Sequence, residues 1–284
     1  LQIPNNNYTK DSFFQYFFVG KKSSFTKIPI VDFLEDANSL HYTTYSSSES
    51  KIYVGPYQIK EQTFWFGTDR FGRDLLSRII YGVRVSMAVG LIAVFISLII
   101  GITLGLIAGY FRGRTDDIIM WFVNVIWSIP TLLMVIAITL ALGKGFWQVF
   151  VAVGLTMWVE VARIVRGQVI AIRELQYVEA SKVLAYSPFR IVTRHILPNV
   201  IGPVIVISAA NFAAAILIEA GLSFLGIGAQ PPIPSWGGII KDHYSYIIMD
   251  KAYLAIIPGL AIMLLVLSFM TLGNRLRDAF DVRI

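Results

Sequence analysis

The sequence predicts an all-α protein that crosses a lipid bilayer several times. Two compositional observations and one pattern predict it. Apolar residues make up 56% of the chain and charged residues only 15%, against about a quarter charged in an ordinary soluble domain. Mean hydropathy is +0.65. The apolar residues gather in five runs, Val85–Phe111, Ile118–Leu142, Phe146–Ile164, Val200–Leu222 and Tyr253–Leu272. Each is close to the roughly 20 residues a helix needs to span hydrocarbon.

Composition also excludes several classes. The absence of cysteine rules out disulfides, thiol catalysis and Cys-based metal sites. His41, His195 and His243 stand far apart, which argues against a histidine metal site. The net charge of +6 lies in the connections between apolar runs, so it is not a nucleic-acid signal. No Gly-rich loop ends in Gly-Lys-Ser/Thr, so ATP binding of the P-loop kind is excluded from this chain. Gly-x-Ser-x-Gly and His-Glu-x-x-His are absent, as are the buried Ser/His or paired Asp residues of an intramembrane protease. The chain reads as a non-enzyme.

Topology follows from Lys and Arg near the runs. Arg112 and Arg114 follow the first run. Arg163, Arg166, Arg173, Lys182, Arg190 and Arg194 follow the third, and Arg275, Arg277 and Arg283 follow the fifth. The other connections hold only Lys144, Lys241 and Lys251. The basic segments are expected in the cytoplasm with the C-terminus, which places Leu1 outside. Since no signal-like segment lies within the polar start, parity favours a sixth, N-terminal span upstream of Leu1 over a removed signal peptide.

Residues 1–62 differ in kind, with Asn5-Asn6-Asn7, Ser46-Ser47-Ser48 and apolar patches at Phe13–Val19 and Ile28–Leu34. They predict an extracytoplasmic elaboration with short strands around Lys51–Ile59, either a decorated loop or a cap on the membrane part. Residues 63–84 read as an amphipathic interfacial helix: Leu75, Leu76, Ile79, Ile80 and Val83 recur at helical spacing. Trp65 and Tyr81 suit the interface, and Gly67 and Gly72 permit turns before the helix.

Residues 85–284 form the membrane domain. Gly101, Gly105 and Gly109 share one helix face and predict close contact with another helix, as do Ala209, Ala210, Ala213, Ala214 and Ala215 in the fourth run. Pro130 and Pro258 predict kinks or irregular starts. Residues 173–199 are polar and basic, and too long for a simple connection. Glu179-Ala180-Ser181 opens a short helix, Pro188 interrupts, and Leu197-Pro198 leads into the next span. The segment predicts two short helices presenting a docking surface.

Polar residues at membrane depth are suspects for a translocation path. Glu160 is three residues from Arg163, close enough to pair. Glu219 either lines a polar path or satisfies a neighbouring helix end. Asn124 and Ser128 share a face of the second run and suit either role.

In these blocks the chain resembles the membrane subunits of ABC importers of the dipeptide/oligopeptide/nickel permease family, specifically the second, "C"-type subunit. The family's cytoplasmic loop pattern is matched by Glu179-Ala180-Ser181, Ala185 at its glycine position, His195 at its isoleucine position, and Leu197-Pro198. Three further blocks agree: Gly67–Asp74 with Ser77-Arg78, Glu219–Gly226 through Gln230-Pro231-Pro232 and Pro234–Gly237, and Leu276–Asp281. The likeness runs from about Phe66 to the end. It departs at Ala185, at Asn124 where an acidic residue is common, and at Glu160, which is not expected to be acidic.

The resemblance implies the ABC type I importer permease fold, usually with six spans, in a bacterial inner membrane. It implies a second homologous permease, two ABC ATPase subunits carrying ATP and Mg, and an extracytoplasmic substrate-binding protein as partners. It makes Glu179, Ala180, Ser181, Lys182, Ala185, Arg190, Leu197 and Pro198 the ATPase-coupling residues. Peptides are the expected cargo, with nickel or another small solute as the alternative. A secondary carrier would show inverted repeats, which are not seen, and a non-transporting scaffold is the rival from another class.

Overall fold

The computed structural model describes residues 1–4, 25–28, 30–36, 39–44, 47–61, 63–69, 72–143, 145–230 and 232–280. Asn5–Asn7, Phe13–Val19, Ser46, Arg70, Phe71, Lys144, Pro231, Asp281 and Arg283 lie outside them. The chain forms two compact units, Leu1–Tyr81 and Gly82–Ile284.

The first unit is richer in strands than the sequence suggested. β1 (Gln2–Pro4) pairs antiparallel with β2 (Phe25–Lys27), and β3 (Ile30–Asp36), β4 (Ser39–Thr44) and β5 (Ser47–Tyr53) make an antiparallel sheet in that order. Leu1, Leu40 and Tyr42 form its core, with Tyr53, Tyr57 and Ile59 packed on it. The expected strand near Lys51 is β5, although Ser47 and not Lys51 starts it.

The helix predicted within 63–84 to lead into the first run is helical from Leu75 onward, while residues 63–69 and 72–74 precede it outside the helix. Helix α1 starts at Leu75 and runs unbroken to Phe111. Positive φ at Gly67 and Gly72 keeps the preceding stretch in turns. Asp74 then caps the helix, its carboxylate accepting from the Leu76 and Ser77 N–H groups. Asp69 accepts from the Arg73 N–H and its Nε at 2.9 and 2.6 Å, and Arg78 lies 3.6 Å from the same carboxylate.

In the second unit, the remainder of α1 is followed by α2 (Gly113–Trp127), α3 (Thr131–Leu142) and α4 (Phe146–Arg173). The expected glycine contact is present: the stripe of α1 lies on α4. A Cβ at Gly101 would sit 2.8 Å from the Trp158 carbonyl, one at Gly105 2.7 Å from that of Ala162, and one at Gly109 2.9 Å from that of Arg166. Only hydrogen fits there, so the backbones touch.

The second apolar run is not a straight span. It breaks at Ser128–Pro130, and α2 and α3 meet at 89°. Pro130 has no N–H and drives Ile129 toward extended backbone. Ser128 closes the end of α2 by donating from N to the Asn124 carbonyl and from Oγ to the Val125 carbonyl, at 3.0 and 2.7 Å. α1, α4 and the helices of the fourth and fifth runs are long and apolar enough to cross a membrane, and the bent pair makes a fifth span if counted as one.

After α4 come α5 (Gln176–Val183), α6 (Pro188–Ile191), a π-turn (Val192–Ile196) and α7 (Leu197–Phe224). Then follow α8 (Trp236–His243), a 3₁₀ turn (Tyr244–Ile248) and α9 (Tyr253–Phe280). Leu197-Pro198 was expected to lead into the next span, and residues 188–224 form one continuous helical element through them. Pro198 cannot donate to the Arg194 carbonyl and crowds it. The helix widens there, with Leu197 donating to the Val192 carbonyl, and Asn199 Nδ2 donates to the His195 carbonyl at 2.7 Å. Pro258 lies within α9 without interrupting it.

Candidate functional site

The polar loop is held as a rigid block on the ends of α4 and α7. Val178 of α5, Ile191 of α6 and Ile196 of the π-turn are buried with Val165, Val169 and Ile172 of α4 and Val200 and Val204 of α7. α5 ends in a Schellman pattern: Tyr186 N donates to the Ser181 carbonyl at 3.1 Å and Ala185 N to that of Lys182 at 2.9 Å. This places Ala185 in the left-handed region at φ +56°, where glycine belongs. Ser187 then caps α6, accepting from Arg190 N, with Pro188 in its first turn.

The residues that the resemblance assigns to coupling therefore divide. Glu179, Ala180, Lys182, Ala185, Arg190 and Pro198 are exposed. Lys182 Nζ reaches the Arg173 carbonyl at 3.4 Å, and the Arg190 guanidinium lies 4.1 Å over the Tyr186 ring. Ser181 is buried and donates to the Tyr177 carbonyl one turn back in α5 at 2.8 Å, so it faces the protein's own interior. Leu197 is half-buried. Sequence reading missed the apolar members of the surface: Val183, Leu184 and Phe189 are 86, 64 and 79% exposed. Their signal was apolar side chains in a stretch too polar to span. The exposed residues of α5, α6 and the turn between them thus mix apolar side chains with charged ones, a composition that suits a docking site.

Ala185→Gly is expected to stabilise the α5 turn by about 1 kcal/mol, because an L side chain is disfavoured at this φ. Amide hydrogen exchange around Ser181–Tyr186 should slow about fivefold. Faster exchange would show that glycine's freedom outweighs the relieved strain.

Behind this surface, two ion pairs tie α4 to its neighbours. Arg166 makes a bidentate contact with Asp116 of α2, at 2.5 and 2.6 Å, and Arg112 lies 3.1 Å from Glu174. Arg166 was read as a loop residue, but α4 continues to Arg173.

The four path candidates do not converge. Asn124 Oδ1 accepts from Arg163 Nη2 at 2.5 Å, and the Arg163 guanidinium lies 3.6 Å over the Trp127 ring. The Glu160–Arg163 pair is therefore not made. Glu160 is exposed and lines a cleft of about 160 Å³ between the α2–α3 break, α4 and α7, with Trp127, Ile129, Met134, Thr156 and Met157. Ser128 is spent on closing α2. Glu219 is 1% exposed and accepts from Ser223 Oγ at 2.6 Å. The Ser235 hydroxyl, at the cap of α8, faces the same carboxyl group. Here α8 lies against α7, since a Cβ on Gly237 would collide with the Ala220 carbonyl. Glu219 thus lies beside the cap of α8 and is not among the residues that line this cleft.

A bundle of long apolar helices with a rigid polar platform projecting from one end defines a polytopic membrane transport component. Residues 101–284 match the family of binding-protein-dependent transport system inner membrane components, and the chain belongs to that family. The glutathione transport system permease protein GsiD of Pectobacterium atrosepticum is 40% identical over 220 residues, 78% of this chain and 73% of that one. The dipeptide transport system permease protein DppC of Bacillus subtilis is 41% identical over 78% and 69% of the two chains. The oligopeptide permease protein OppC of the same organism is 38% identical over 78% and 72%. Among solved structures, a chain of the inward-facing MetNI methionine ABC transporter superposes with a TM-score of 0.60 at 19% identity, covering 72% of this chain and 97% of that one. A chain of an amino acid ABC transporter gives 0.52 at 17% identity, covering 72% and 94%. These two share the fold.

Proposed function

We propose that the chain is the "C"-type permease of an ATP-driven importer of di- or oligopeptides, and that α5 and α6 couple it to the ATPase. The observation that carries this reading is the exposure of Val183, Leu184 and Phe189, with Glu179, Lys182 and Arg190, on two short helices that the buried Val178, Ile191 and Ile196 hold to α4 and α7. Exposed apolar and charged side chains on elements packed to the helix ends suit the groove of a protein that moves and must be felt. The names of the relatives favour peptides over nickel.

In this reading a second homologous permease completes the translocation path, and two ATPase subunits, carrying ATP and Mg, bind below. An extracytoplasmic binding protein delivers the peptide. The basic loop and the C-terminus face the cytoplasm, and residues 1–62 the other side. Closure of the ATPase pair displaces α5 and α6 as one body. The continuous helix from Pro188 to Phe224 carries that displacement into the membrane, and the spans tilt from inward- to outward-facing.

Substrate-stimulated ATP turnover of the reconstituted complex tests the reading. Glu179→Ala is expected to reduce stimulation at least tenfold while the complex stays assembled. Full stimulation in the variant would remove Glu179 from the coupling surface.

A further inference from the structure

Among the described residues, Glu160 is the path candidate that has no hydrogen-bond or ion-pair partner. It lies on α4 four residues before the end of the apolar run Phe146–Ile164. A carboxylate near the end of a span is favoured by hydration or by a counter-charge. The natural partner is Arg163, three residues on, yet that guanidinium is held by Asn124 at 2.5 Å and by the face of Trp127 at 3.6 Å. Among the described residues Glu160 forms no ion pair, and it opens onto the cleft. The walls beside it, Ile129, Met134 and Met157, are apolar. The described residues hold no group of three or more His, Cys, Asp or Glu side chains able to bind a metal ion. A single carboxylate in an apolar cleft suits an organic ammonium group: one charge, matched without multiple ligands, and weak enough to leave.

We propose that Glu160 is the counter-charge for a cationic group of the transported peptide as it passes this cleft. The inference rests on the peptide-permease reading. Two ammonium groups fit the chemistry, the peptide's own terminus and a lysine side chain, and they predict different patterns.

The test is initial uptake of alanyl-lysine, alanyl-glutamine and alanyl-glutamate into proteoliposomes holding the complete complex, with its binding protein outside. Glu160→Gln is expected to slow all three about tenfold if the terminus is bound, or alanyl-lysine alone if the side chain is. Glu160→Asp, which keeps the charge, is expected to stay within twofold of wild type. Unchanged uptake of every peptide in Glu160→Gln would overturn the proposal. So would an equal loss in Glu160→Asp, or loss of the second permease on purification, either of which makes the residue structural. If the wild-type complex carried none of the three peptides, the peptide reading itself would fail.

Discussion

Phe189→Asp is expected to strip the ATPase subunits from the purified complex. The ring is 79% exposed on α6, and an aromatic anchor in a docked interface is worth about 2 kcal/mol or more. Aspartate both removes the anchor and sets an unpaired charge in the contact, so retention should weaken roughly a hundredfold, about 3 kcal/mol. The fold should survive, because an exposed substitution of this kind changes stability by about half a kcal/mol. Co-purification against an epitope on this chain measures it, and Phe189→Leu should keep most of the binding. Wild-type recovery of ATPase in Phe189→Asp would place the docking surface elsewhere.

The second large effect concerns the helix pair that supports the surface. Leucine at Gly105 would put a Cβ 2.7 Å from both the Ala162 carbonyl and Val165 Cβ. Neither neighbour can withdraw without parting α1 from α4. Overpacking of a tight core costs about 1–3 kcal/mol, and a backbone contact leaves no rotamer to absorb the strain, so the upper end is expected. Gly167 is the matched control, lying exposed on α4 with nothing within 4 Å of its added Cβ. Thermal unfolding in detergent should show a marked loss for Gly105→Leu and little change for Gly167→Leu. Equal melting of the two would mean that the glycine stripe is not what holds the pair together.

These contrasts show where sequence reading works. The stripe at Gly101, Gly105 and Gly109 was legible because glycine at every fourth position has one steric meaning, and the structure supplies the helix it touches. The strain at Ala185 was legible in part: the family pattern asks for glycine there, and φ +56° shows why. The 89° break was not legible, since Pro130 announces a departure from the helix without an angle. The start of α1 was legible in part: apolar periodicity begins at Leu75 and Gly67 and Gly72 announce turns before it, while the cap at Asp74 is a contact that the structure supplies. Contacts between distant residues were closed to the sequence altogether. Nothing local tells Arg166 that its partner is Asp116, or Arg163 that Asn124 and Trp127 will draw it from Glu160.

The π-turn at Val192–Ile196 has a hereditary meaning. A π-turn is what an α-helix becomes when it accommodates one residue beyond its regular count, and each residue of an α-helix advances the azimuth by about 100°. That single residue sets the compass bearing of Phe189 and Arg190 relative to the span above them. A one-residue deletion between Ile191 and Leu197 would leave composition, charge and hydropathy almost untouched and still swing the platform by more than a quarter-turn. Lineages that keep their ATPase partners must keep this count, so alignment gaps should be rarer here than in the loop's exposed turns.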